Sequence, residues 1–216
     1  MRTNKSLRTT AYKYIKDSIL SGKIKPGERI FTSDLSDKIS ISNTPVREAL
    51  LLLTQERLLE ANKRNGFIVK RIIISELEEY FHYRELLESK SVDLILKNIQ
   101  DSELLELEKL IEMAESVYQN KNYDEFSSLH FEFHRKLWES THSKIFTDLM
   151  SSMNHVFIQI ISLAAKRPEN IANAINDHRN IVKTIYARDP ENLSDLIVYH
   201  VRSAKNNILT LYSYLA

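Results

Sequence analysis

The chain has 216 residues, 43% hydrophobic and 27% charged, with a formal net charge of +1, which is the composition of an ordinary globular protein. It contains no Cys, which excludes a disulfide framework, a thiolate nucleophile and thiolate metal ligands. No run of about 18 apolar residues is present, so no membrane-spanning helix is expected, and the opening stretch MRTNKSLRTTAYKYIKDSIL lacks an apolar segment of signal-peptide length. The expected location is therefore cytoplasmic. The near-neutral total hides an asymmetry: residues 1–70 hold 14 Lys/Arg against 7 Asp/Glu, and residues 71–216 hold 16 against 22. A basic first third on an acidic remainder suggests a polyanion-binding module joined to something else; chance segregation of surface charge is the bland alternative.

Only three Gly and four Pro are present, which favours long helices joined by short polar loops. Thr9 to Leu20 carries Ala11, Tyr14, Ile15, Ile19 and Leu20 near the helical period, and Gly22 and Pro26-Gly27 break it. Thr32 or Ser33 can cap a short helix running to about Ile39. After the turn Ile39-Ser40-Ile41-Ser42, a helix from Pro45 to about Arg57 buries Val46, Leu50 and Leu53; Pro suits a first turn, where its missing N–H has no partner to lose. Leu58 to Ala61 and Gly66 to Val69 read as two strands joined by Asn62-Lys63-Arg64-Asn65-Gly66, a hairpin signal. Three helices followed by a basic hairpin make a winged helix-turn-helix.

Beyond Arg71 the pattern is helical throughout: about 75–98, 101–120, 122–141, 143–166, 168–188 and 190–214, with Ser75, Asp101, Asn122 and Ser143 as caps. The fold class is mainly α, divided into a head over residues 1–71 and an all-α bundle over 72–216. Within the bundle, His130 and His134 stand four apart. One helix face then carries both imidazoles a turn apart, as two ligands of one metal require. Such pairs are more often ordinary core or partly exposed histidines. His178 and His200 lie on the last two helices, where an antiparallel pair can face them towards each other.

The stretch Gly22-Lys23-Ile24-Lys25-Pro26-Gly27-Glu28-Arg29-Ile30, then Ser33-Asp34-Leu35, then Ser42-Asn43-Thr44-Pro45-Val46-Arg47-Glu48-Ala49-Leu50, and the wing Asn65-Gly66-Phe67-Ile68-Val69 closely resemble the GntR family of transcription regulators. The resemblance implies a homodimer on a palindromic double-stranded DNA operator. Ser42, Asn43, Thr44 and Arg47 would stand at the N-terminal end of the recognition helix, where side chains reach base edges and free N–H groups bind phosphate. Lys63, Arg64, Asn65 and Gly66 would form the wing against the DNA backbone or minor groove. Ser33 would cap its helix and touch phosphate. Asn43 departs from the family's Arg; Asn pairs better with adenine than with guanine, so a more A·T-rich half-site is expected. Arg47 and Glu48 could instead pair with each other; that reading suits Glu48, whereas Arg47 is read as a DNA contact.

Residues 76–214 resemble the FadR C-terminal (FCD) ligand domain, on Arg84-Glu85-Leu86-Leu87-Glu88, Phe133-His134, His178-Arg179-Asn180-Ile181 and His200. In metal-binding members an Asp and a His four apart, with two later His, hold one divalent cation. Carried over, the ligands are His134, His178 and His200, with His130 where the family has Asp. Four imidazoles without a carboxylate favour zinc, or nickel, over magnesium, calcium or manganese, and leave the ion's charge uncompensated, which should attract an anionic effector. A set of three histidines without His130 stays open. The resemblance places Arg84 in the pocket, where its forked guanidinium matches an effector carboxylate; a helix salt bridge to Glu88 is the competing reading. Tyr83, Phe131, Phe133 and Trp138 read as core.

The function expected is a transcription regulator switched by a small organic acid bound near a divalent metal. The alternative is a regulator for which the cation itself is the signal. An enzyme is disfavoured: the run His-Phe-Glu-Phe-His is not HExxH, Glu132 lies off the face of both histidines, and three Gly cannot build a P-loop or a dinucleotide fingerprint.

Overall fold

The computed structural model describes residues 4–20, 23–56, 58–62, 66–71, 73–153 and 167–215. Two compact units divide after Ile73.

The first unit contains α1 (Asn4–Leu20), β1 (Arg29–Ile30), α2 (Thr32–Ile39), α3 (Asn43–Gln55), β2 (Leu59–Asn62) and β3 (Gly66–Val69). The strands form an antiparallel sheet in the order β1-β3-β2, with Asn62 opposite Gly66 and Arg29 opposite Ile68. Ala11, Ile15 and Ile19 of α1 meet Val46, Ala49, Leu50 and Leu53 of α3, and Leu59, Phe67 and Val69 close the core. Each fully buried Leu or Ile contributes roughly 1.5–3 kcal/mol. Lys16 and the Tyr12 hydroxyl both donate to Glu56, at 2.8 and 2.6 Å, tying α1 to the end of α3. Gly27 sits at φ 82°, in the left-handed region that favours glycine, and its N–H donates to the Val69 carbonyl at 2.8 Å.

The second unit is helical: α4 (Ile74–Lys90), α5 (Val92–Asn98), α6 (Asp101–Gln119), α7 (Tyr123–Glu139), α8 (residues 144–153 described), α9 (Pro168–Ala187) and α10 (Pro190–Leu215). Leu104, Leu107 and Ile111 of α6, Phe126, Phe133 and Leu137 of α7, Ile171, Ile175, Ile181 and Ile185 of α9, and Leu193 and Ile197 of α10 share one core.

Several expectations need correction. The stretch 75–98 is two helices, which meet at Ser91, whose hydroxyl donates to the Glu88 carbonyl at 2.8 Å. Phe31, not Thr32 or Ser33, occupies the N-cap position of α2; Ser33 is its second residue and donates to Asp34 at 2.9 Å. Ser75 lies inside α4, and Gln100 rather than Asp101 precedes α6. Asn122 precedes α7 but makes no side-chain cap bond. Ser143 does cap, accepting from Phe146 N–H at 3.4 Å.

Candidate functional site

In the first unit the polar residues gather outside the core. The α2 start, α3 and the sheet enclose a concavity of about 620 Å³, bordered by Ser33, Asn43, Thr44, Arg47 and Gly66. Pro45, Val46, Ala49 and Leu50 are buried, so α3 is anchored by one face, while Ser42, Asn43, Thr44 and Arg47 are exposed on the other. No ion pair joins Arg47 to Glu48 among the described residues, and both border the concavity. Gly66 has a local reason to be glycine: a Cβ there would come within 3.3 Å of the Ile30 carbonyl oxygen and 3.4 Å of the Phe31 ring. Lys63, Arg64 and Asn65 lie outside the described residues.

In the second unit the polar residues gather inside the core. Leu77, Tyr80, Phe81, Arg84 and Glu88 form the buried stripe of α4, so Arg84 and Glu88 occupy positions that the helical period assigns to the interior. His130 and His134 lie beside Phe126, Phe133 and Leu137 on α7, His178 beside Ile175 and Ile181 on α9, and His200 beside Ile197 and Val201 on α10. The four imidazoles offer ligand atoms that all lie within 4.8 Å of one another, and all four residues are buried. Phe133 stacks flat on His178, with centroids 3.8 Å apart and planes 8° apart.

Burial is the largest cause pushing His130, His134 and His178 well below the ordinary histidine range; the charge of His200 follows for His130 and His178, and that of Arg84 for His134. These rings are therefore held neutral, the form that binds a metal. Burial opposes the charge on Arg84, but Glu88 and Tyr80 outweigh it and raise its pKa. Arg84 forms an ion pair with Glu88, and its Nη2 also lies 3.1 Å from His134 Nδ1. The helix salt bridge to Glu88 is thus present, on the Nε side of the guanidinium. His134 Nε2 lies 3.1 Å from His200 Nε2, and Asp177 Oδ2 lies 3.0 Å from His200 Nδ1.

His130 Nδ1, His178 Nε2 and Trp138 Nε1 are buried without a hydrogen-bond partner among the described residues. Two unpartnered imidazole nitrogens in a compact set of four fit a bound cation, which would satisfy lone pairs that otherwise carry a desolvation penalty. A cleft of about 50 Å³ opens on His130 and His200 and is bordered by Asn173, Asp177, Ser203 and Asn207.

Comparison with known proteins gives this arrangement a family. The description "Bacterial regulatory proteins, gntR family" matches residues 7–69, and "FCD domain" matches residues 79–203. The chain belongs to the GntR family, with an FCD domain.

It is 30% identical over 193 residues to the uncharacterized HTH-type transcriptional regulator YdhC of Bacillus subtilis, covering 88% of this chain and 85% of that one. It is 23% identical to the HTH-type transcriptional regulator McbR of Escherichia coli, covering 82% and 81%. The solved structure of E. coli McbR/YncC superposes with a TM-score of 0.80 at 22% identity, covering 100% of both chains, and shares the fold. This GntR/FCD chain is a DNA-binding transcription regulator, not an enzyme.

Of the residues read as core, Phe133 and Trp138 are buried, Phe131 is half-buried, and Tyr83 is exposed instead. Arg179 pairs with Glu115. His82 and His142 are exposed, and His142 contacts Glu103 at 3.0 Å; His155 lies outside the described residues. Sequence reasoning missed Asp177. Its one signal is its place directly before His178 on a helix antiparallel to that of His200.

Proposed function

We propose that this regulator's affinity for its operator is set by a small carboxylate bound beside a divalent cation in the FCD domain. Zinc is the first choice of cation and nickel the second. The observation that carries the reading is the buried set His130, His134, His178 and His200, with ligand atoms within 4.8 Å and Arg84 against it. These imidazoles would hold the cation, which would supply Lewis acidity and positive charge. Arg84 would orient the acid by its fork, and the cleft of about 50 Å³, bordered by His130 and His200 rather than by Arg84, suits a ligand of few heavy atoms. Its polar border, Asn173, Ser203 and Asn207, would recognise hydroxyl or carbonyl groups.

The domain division we propose is 1–71 for DNA binding and 72–216 for sensing and dimerisation. In the head, Ser33, Ser42, Asn43, Thr44 and Arg47, with the wing residues Lys63, Arg64, Asn65 and Gly66, would meet DNA. A homodimer would place two heads on a palindromic operator, and the acid would act by binding one arrangement of the heads better than the other. Elemental analysis of purified protein, with and without His134→Ala and His178→Ala, tests the cation: wild type should carry about one zinc per chain and both variants far less. Organic acids should then raise the melting temperature of loaded protein and change its operator affinity. A metal-free protein that binds the same acid equally well would refute the arrangement.

A second reading, in which the cation itself is the signal, rests on the same unpartnered His130 Nδ1 and His178 Nε2. Operator binding titrated with zinc alone separates the two: a response without any acid selects this second reading.

A further inference from the structure

His200 differs from the other three imidazoles of the cluster: among the described residues, it alone has a carboxylate bonded to it. Asp177 Oδ2 lies 3.0 Å from its Nδ1, and the two side chains are 14% and 5% exposed. Asp177 stands on α9 and His200 on α10, so the bond crosses between helices.

The direction of this bond follows from the carboxylate at its end. Arg84 can only donate, and a carboxylate can only accept. Between them lie His134, 3.1 Å from Arg84, and His200, 3.1 Å from His134. Arg84 Nη2 lies 3.1 and 3.2 Å from the two ring nitrogens of His134, so that end of the path does not fix a tautomer, whereas the Asp177 end does: the carboxylate can only accept, and His200 Nδ1–H donates to it. The carboxylate therefore fixes the proton of His200 on Nδ1 and turns the lone pair of Nε2 towards the other imidazoles.

We infer that Asp177 is a positioning residue for the metal centre. It holds His200 in the Nδ1–H tautomer that binds a cation through Nε2, and it places a negative charge just outside the four imidazoles. This rests on the metal reading above. It also bears on the departure at His130: with an imidazole where the family has a carboxylate, Asp177 supplies a negative charge one residue further out, through its bond to His200. A carboxylate accepting from the far nitrogen of a ligating histidine orients the ring and strengthens the donor, and its loss typically weakens metal binding 10–100-fold.

The test is zinc affinity of the full chain, measured by competition with a chromophoric chelator, for wild type, Asp177→Asn and Asp177→Glu. Asp177→Asn should bind about 10–100-fold more weakly, with cobalt absorption bands present but shifted, and Asp177→Glu should recover part of the loss. A long-range proton–nitrogen NMR spectrum of zinc-loaded wild type should show His200 protonated at Nδ1, a result that needs no variant and stands even if Asp177→Asn misfolds. Asp177→Asn binding within about twofold of wild type with unchanged cobalt bands, or His200 protonated at Nε2, overturns the inference and leaves the metal reading standing. A wild type that takes up no metal removes both.

Discussion

In the head, the groups that can do chemistry stand outside an apolar interior: Ser18 is the one buried polar side chain among its described residues, while Asn43, Thr44 and Arg47 are exposed. In the bundle they lie inside: Arg84, Glu88, His130, His134, His178 and His200 are all buried. The head can therefore change what it recognises without changing how well it folds. The bundle cannot, because each polar group in its interior contributes to stability as well as to ligand binding.

The largest expected effect breaks that coupling at its most exposed point. Glu88→Ala strands the Arg84 guanidinium, 2% exposed, without its carboxylate. Removing one partner of a buried ion pair typically destabilises by about 3–5 kcal/mol, a fall in melting temperature on the order of 10 °C for a domain of this size. Replacing both partners, Arg84→Met with Glu88→Leu, should recover most of that loss, because the desolvation of two charges disappears with them. Thermal unfolding of the three proteins checks both statements, and a Glu88→Ala protein that melts like wild type would show that the pair is not buried in solution.

The next effect is a pH dependence confined to the bundle. The pKa values of His130, His134 and His178 are depressed well below 6.5 in the folded state. As pH falls through about 6.5, the unfolded chain takes up protons that the folded chain refuses, so stability falls with falling pH. Metal-free protein should lose up to about 1.4 kcal/mol per pH unit for each such histidine between about pH 6.5 and 5. Denaturant titrations across that window measure the slope. A flat profile would mean that the rings protonate in place, and with it the claim of a dry cluster fails.

The contrast also explains what could be read from the chain. The helices of the bundle announce themselves by long apolar stripes and by breaks such as Asn98 to Asp101, and the pair His130/His134 shows in its spacing of four. The split at Ser91 does not show, because neither Gly nor Pro marks it. β1 spans two residues, Arg29 and Ile30, too short for any alternation to appear. Asp177 escaped because its partner lies 23 residues away on another helix, and nothing local distinguishes it from a solvated acid. Arg84 and Glu88 were legible as a pair, but not as a buried one joined to His134: burial there depends on how α4 packs against α10.

Smaller effects belong to the head and sharpen the contrast from its side. Arg47→Ala should lower operator affinity by about 1–3 kcal/mol, or roughly 10–100-fold. Its melting temperature should stay near that of wild type, since substitutions at exposed positions away from caps and cores usually fall within about 0.5 kcal/mol. Fluorescence anisotropy on a labelled operator, beside a melting curve, measures both; a large loss of stability would place Arg47 in the structure rather than at the DNA.

The smallest effect concerns which base is read. Asn43 is the first residue of α3, exposed at the border of the concavity that also holds Arg47. An amide offers one donor and one acceptor side by side, which matches the N6 and N7 edge of adenine; a guanidinium offers only donors, which match O6 and N7 of guanine. The GntR pattern has Arg where this chain has Asn, so the half-site should carry an A·T pair at the position Asn43 faces, by about 1 kcal/mol, the low end of what a bidentate pair supplies. Selection of sites from random duplexes reads this directly. Asn43→Arg should move the preferred base from adenine to guanine while leaving the rest of the half-site and the unfolding curve in place. A G·C pair selected there by the unaltered chain would mean that Asn43 contacts phosphate, and the burden of base recognition would pass to Arg47 and Thr44.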